Sequence, residues 1–220
     1  MTTTPSQRYL ALDTAGANVR LALRDAGRTI VRDGHASKTQ GSDLATLVAD
    51  TLAERSLTIA DLTGLAVSLG PGSFTGTRVG LAFAKGAAVG AGIPLIGVSR
   101  FDQALANCDA TPDGALIFMK PGMYYLWRQG ELSVRSADEL TFEFATSGSQ
   151  RIICIDCDPP TALHSGAAFT VQRVDTDPAT LIDLALPRFA DARTEDWAEL
   201  EPIYVSLSSA ELKFNARSNQ

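Results

Sequence analysis

Short, unbroken apolar runs alternate along this chain with stretches of helical periodicity, and each change of pattern marks an element. Residues 9–12, 19–23 and 29–31 read as three opening strands, with Asp25-Ala26-Gly27 as the hairpin turn between the last two. Leu44, Leu47, Val48 and Leu52 then recur at helical spacing, predicting a helix from a cap at Ser42 to about Arg55, with Asp43 and Arg55 placed to complement its dipole. Residues 64–69 are almost wholly apolar, as in a strand buried on both faces. After them come a glycine-rich turn, a long helix of small residues and a further strand over 95–98. That strand–helix–strand order implies parallel crossovers.

The long helix carries the most unusual pattern. Gly76, Gly80, Ala84, Ala88 and Gly92 fall four apart, so they form one winding stripe along which another helix can approach almost to backbone contact. Interior glycines disfavour a helix by about 1 kcal/mol each relative to alanine. Gly80, Gly86 and Gly90 therefore call for close packing to offset them, within the fold or against a partner. Beyond a short helix over 101–106, the turn-rich residues 107–114 suggest a division into 1–106 and 107–220. In the second part, residues 115–119, 123–128 and 151–155 read as strands. Asp177 before Pro178 starts a helix that Pro187 should disturb, and residues 197–207 can pack back on either part.

Composition narrows the classes. With 45% hydrophobic and 20% charged residues the chain is an ordinary globular protein, and a net charge of -6 argues against direct nucleic-acid binding. Three cysteines in 220 residues do not make a disulfide framework; a reducing, cytoplasmic setting fits. The first residues lack the apolar core of a signal peptide. Residues 79–98 approach the length of a membrane span, but Lys85 lies inside and Pro94 ends the helix, so no membrane segment is expected.

Candidate chemistry is sparse. A glycine turn before a helix is suited to holding an anion on backbone amides, and equally to a plain turn and cap. Thr75 and Thr77 stand where a P-loop beginning at Gly70 or Gly72 needs glycine, and Thr75 also breaks a dinucleotide-binding glycine pattern. Asp13 and Thr14 end the first strand, where a carboxylate can support a metal or simply make an Asx turn. Cys154 and Cys157 form a single CxxC, open to readings as a redox pair, half a zinc site or core packing. His35 and His164 flank no recognisable nucleophile, so no catalytic residue and no metal site is expected. Tyr124, Tyr125 and Trp127 suit ring stacking or ordinary strand packing.

Residues 64–101, GLAVSLGPGSFTGTRVGLAFAKGAAVGAGIPLIGVSRF, resemble the TsaB family of bacterial tRNA threonylcarbamoyladenosine biosynthesis proteins, as does the opening Leu10-Ala11-Leu12-Asp13-Thr14-Ala15. A weaker echo lies at Glu201-Pro202-Ile203-Tyr204. The resemblance implies an α/β, actin-like (ribonuclease H-like) two-lobed fold with mixed sheets flanked by helices. It also implies a non-catalytic scaffold that docks on the transferase TsaD and is joined by the ATPase TsaE; separately, no cofactor is expected, and a homodimer through the same helices is expected when the chain is alone. Transferred by position, the interface would use Leu44, Leu47, Val48 and Leu52 with Val79, Gly80, Phe83, Ala84 and Ala87, and an arginine at Ala84 would abolish docking. The alternative is a small ATP-dependent phosphotransferase or ATPase using Asp13, Thr14, Gly72 and Ser73. The chain departs from the family pattern at Met119-Lys120-Pro121, where Asp-Ala-Arg is usual, and at Asp156-Cys157-Asp158, where a Gly-x-Gly turn is usual. Further departures are Ser206 for an arginine and Gly41 for a histidine.

Overall fold

Continuous apolar runs along three parallel strands, buried on both faces, decide how the first unit is built. The computed structural model describes residues 7–34, 40–146, 150–161, 163, 169–191 and 194–205. Met1–Thr111 and Val174–Pro202 form one compact unit, and Pro112–Arg173 the body of a second. In the first, β1 (Arg8–Asp13), β2 (Arg20–Asp25), β3 (Arg28–Asp33), β4 (Gly64–Ser68) and β5 (Leu95–Val98) make a mixed sheet of order β3-β2-β1-β4-β5. The hairpin strands pair antiparallel, whereas β1 with β4 and β4 with β5 are parallel.

One face of this sheet presents Leu10, Leu12, Leu21, Leu23, Leu65 and Val67 to α1 (Gln40–Ala53) and α2 (Phe74–Ala91). The other presents Tyr9, Ala11, Ala22 and Ala66 to Leu181, Ile182, Ala185 and Phe189 of α5 (Pro178–Phe189). Small residues at the sheet centre let α5 settle closely, and the Phe189 ring stacks on Tyr9 with centroids 4.8 Å apart. A Cβ on Gly64 would lie 2.6 Å from that ring, so glycine is required there. Asp177 caps α5 as expected, accepting from the Ala179 amide at 2.9 Å. Pro187 does not end the helix: α5 continues to Phe189, whose burial and the Arg188 hydrogen bond to the Gly97 carbonyl (2.7 Å) hold the last turn. Nor does Ser42 precede α1, which begins at Gln40. Within this unit α3 (Arg100–Leu105) follows β5, and Trp197 and Leu200 pack against the α1–α2 side of the core.

The second unit repeats the order of the first. β6 (Gly114–Lys120), β7 (Met123–Arg128) and β8 (Glu131–Ser136) form antiparallel hairpins, α4 (Ala137–Thr146) follows, and β9 (Gln150–Ile155) returns parallel to β6, with β10 (Phe169–Val174) beside it. Leu116, Tyr124, Leu126, Ile152 and Cys154 face Leu140 and Phe144 of α4. Both units are therefore α/β, with mixed five-stranded sheets flanked by helices. Two hairpin turns, Ala26-Gly27 and Gln129-Gly130, take positive φ at both residues (48° and 79°, 52° and 88°), matching the twist of their strands.

At the end of β2, Asp25 accepts from Arg8 Nε and Arg55 Nη2, each at 3.0 Å, and these guanidinium contacts hold its carboxyl below the usual carboxylate range. A carboxyl lowered in the folded state contributes stability above its unfolded pKa and loses it as pH falls through the folded value. Urea midpoints should therefore fall on acidification below about pH 4 less steeply in Asp25→Asn than in the parent; equal slopes would remove Asp25 from the acid response.

Candidate functional site

The glycine turn between β4 and α2 is stitched to the end of β1. The Ser73 amide donates to the Ala15 carbonyl at 2.8 Å, and the Thr14 hydroxyl to the Gly76 carbonyl at 2.7 Å. Gly72 lies so close that a Cβ there would overlap the Ala15 carbonyl oxygen, and Gly70 takes a left-handed φ of 82°. The Ser73 hydroxyl caps α2 by accepting from the Gly76 amide at 3.1 Å. Asp13 is buried and accepts from the Ala15 amide at 3.0 Å, an Asx turn. From β5's end, the Arg100 amide donates to the Gly70 carbonyl and its buried guanidinium to the Pro71 carbonyl at 3.3 Å. Thus Asp13, Thr14, Gly72 and Ser73, the residues of the nucleotide-binding alternative, lie close together. Their polar groups on these bonds serve a turn and a cap.

The small-residue stripe has the same destination. Gly76, Gly80, Ala84 and Ala88 are buried, and a Cβ at Gly80 would overlap the Thr14 hydroxyl. Their neighbour is the end of β1 and the sheet of their own unit. Of the nine residues expected at a partner interface, Leu44, Val48, Leu52, Gly80 and Ala84 lie in this unit's core, with Leu44 and Ala84 at 0% exposure. Leu47, Val79, Phe83 and Ala87 are half-buried against it. These five positions are occupied by packing within the unit, and an arginine at Ala84 would enter the core.

The solvent-facing sides of α1 and α2, which pack against one another, carry a different set. Ala45, Ala49 and Ala53 are exposed on α1, and Ala82, Gly86, Val89 and Gly90 on α2; nothing lies within 4 Å of a Cβ placed at Gly86 or Gly90. At the start of α2, Phe74 is half exposed and carries the Arg78 guanidinium 3.5 Å over its ring. This second, outward stripe was present in the sequence, but the longer inward stripe of the same helix masked it.

Among the described residues no group of three His, Cys, Asp or Glu side chains is gathered as a metal site requires, and no helix is long and apolar enough to cross a membrane. His35, His164 and Ser206 lie outside the described residues. Tyr124 belongs to the second unit's core, and burial raises its hydroxyl pKa above the usual range, as it does for Tyr125.

The chain is similar to TsaB, the tRNA threonylcarbamoyladenosine biosynthesis protein of Escherichia coli K12, at 37% identity over 92 residues, 42% of this chain and 40% of that protein. It is also similar to the tRNA N6-adenosine threonylcarbamoyltransferase of Paracoccus denitrificans, at 41% over 90 residues, 40% of this chain and 25% of that one. The aligned part thus spans about two fifths or less of these curated relatives. A crystal structure of a Pseudomonas aeruginosa protein with similarity to the peptidase YeaZ superimposes with a TM-score of 0.65 at 20% identity, covering 91% of this chain and all of that one. YeaZ from the same organism gives 0.63 at 20% identity, with 90% and 99% covered. These likenesses carry the fold, and the two sheets with their flanking helices are of the α/β, actin-like class. The sequence pattern of the tRNA N6-adenosine threonylcarbamoyltransferase family, TsaD, matches residues 34–155, more than half of the chain, which therefore belongs to that family as a TsaB/YeaZ-like member.

Proposed function

We propose that this protein is a non-catalytic partner subunit for threonylcarbamoyl transfer to adenosine of tRNA, docking on a TsaD-type transferase through the outward face of α1 and α2. The observation that carries this reading is the exposed small residues on both helices, Ala45 and Ala49 on α1 and Ala82 and Gly86 on α2, which admit a partner helix at close range. Half-exposed Phe74 and Val89 supply larger apolar contacts at either end of α2. The internal use of the Thr14 and Ser73 hydroxyls supports a scaffold over an ATPase. In this role the subunit favours one arrangement of the transferase through contacts made only in that arrangement, since a ligand shifts a conformational equilibrium only by differential binding. The ATPase TsaE joins the assembly, a homodimer through the same face forms when the transferase is absent, and the setting is cytoplasmic.

The test is size-exclusion chromatography with light scattering of the full chain mixed with the transferase from the same organism. A stable complex is expected, and Gly86→Arg, placed in open space on the helix surface, should remain folded by circular dichroism yet lose it. Undiminished association of that variant would remove the proposed face. Failure of the parent to associate, together with saturable Mg-ATP binding lost in Asp13→Ala, would replace the scaffold by the nucleotide-binding alternative.

A further inference from the structure

We propose that Cys154 and Cys157 are a redox modification site, closing to an intramolecular disulfide when the chain meets a small-molecule disulfide such as oxidised glutathione. Cys154 is the penultimate residue of β9, fully buried and facing the cluster built on Leu140 and Phe144. The chain then turns at Asp156, whose φ of 51° is left-handed, and this turn brings the half-buried Cys157 back against the same cluster. The CxxC spacing is thus realised as two reduced thiols packed in one place rather than on opposite faces of a strand. Their side chains share a hydrogen bond, which together with burial pushes the Cys154 thiol above its ordinary range. The remaining cysteine, Cys108, belongs to the first unit and donates its thiol to the Ala104 carbonyl at 3.3 Å.

The difference in exposure orders the chemistry. Cys157, the accessible member, loses its proton and attacks one sulfur of oxidised glutathione; a Cys157–glutathione bond forms as the glutathione S–S bond breaks, and the first glutathione leaves as a thiolate that takes up the proton. Cys154 then gives up its proton and attacks the Cys157 sulfur, displacing the second glutathione, which is protonated in turn. The two protein thiols are oxidised by two electrons and one small disulfide is reduced to two thiols. Cys154 acts as the resolving thiol because it is in contact with Cys157 and shielded from the reagent.

The experiment uses the full chain, oxidised glutathione, quenching by alkylation and mass spectrometry of the tryptic peptide 152–173. In the parent this peptide should appear two hydrogens lighter, with neither cysteine alkylated. In Cys154→Ala, which keeps the core apolar, Cys157 should retain the glutathione adduct at a level on the order of tenfold above the parent. In Cys157→Ser, Cys154 should remain a thiol that alkylates only after unfolding. Equal adduct on the parent and Cys154→Ala, or a bridge from either thiol to Cys108, would overturn the assignment.

Discussion

An arginine at Ala84 should leave the first unit unable to fold, whereas the same residue two positions on, in Gly86→Arg, should leave it intact. Ala84 has no exposed surface and packs among Leu10, Leu44, Leu65 and their neighbours, so the variant places an uncompensated charge and six extra heavy atoms into a close-packed layer. An unpaired buried charge costs several kcal/mol even after relaxation, which is comparable to the whole stability of a domain at about 5–15 kcal/mol. Insoluble product, or soluble product without a cooperative thermal transition, is expected for Ala84→Arg. A native-like transition would mean that this face of α2 turns outward after all, and would restore the interface read from the small-residue stripe.

The second large effect is a reversal of sign within one helix. Gly86→Ala should stabilise the unit by roughly 0.5–1 kcal/mol, because alanine removes the backbone freedom of glycine in a helix and its methyl group meets nothing within 4 Å. Gly80→Ala has the same helical advantage but drives its methyl into the Thr14 hydroxyl. Thr14 must then release the Gly76 carbonyl or push α2 off the sheet, and overpacking of this kind costs about 1–3 kcal/mol. Urea midpoints of the two variants should lie on opposite sides of the parent. If Gly80→Ala is also stabilising, the contact between α2 and the end of β1 is looser than described.

Much of this arrangement is legible from residues alone, and the failures have a common cause. Strands β1, β4 and β5 are apolar runs bounded by turn residues, and α2 is announced by Ser73 at one end and Gly92 at the other; each is a local signal. The glycine turn is legible too, since Gly72 and Ser73 sit where a turn and cap belong. Strands β8 and β10 and helix α4 are not, because ELSVRS, FTVQRV and ADELTFEFAT are short, mixed segments whose pattern emerges only when a neighbouring strand or core covers one side. Which way the expected docking residues point is illegible for the same reason. Periodicity tells which side chains share a face of α2, but not whether that face turns toward β1 or toward solvent, and Gly80 and Gly86 are equally small. Pro187 shows the same dependence on distant packing, since the helical turn after it is held by Phe189 stacking on Tyr9 and by the Arg188 hydrogen bond to Gly97.

The shared wiring of the two sheets leaves each with an outer hairpin strand, β3 in one and β8 in the other, lying at the end of its strand order. Such a margin offers a row of unpaired backbone groups on which another chain's strand can grow. Val31 and Leu132, 38% and 37% exposed, would make that growth apolar and favourable. Both margins are instead interrupted by charge: Arg28, Arg32 and Asp33 on β3, Glu131 and Arg135 on β8, with Arg32 tied to Glu54 at 2.7 Å and Asp33 to Arg20 at 3.0 Å. A strand added at either margin would have to desolvate these groups. The small apolar row on α1 and α2 is thus exposed on a protein whose two hairpin margins resist runaway self-association.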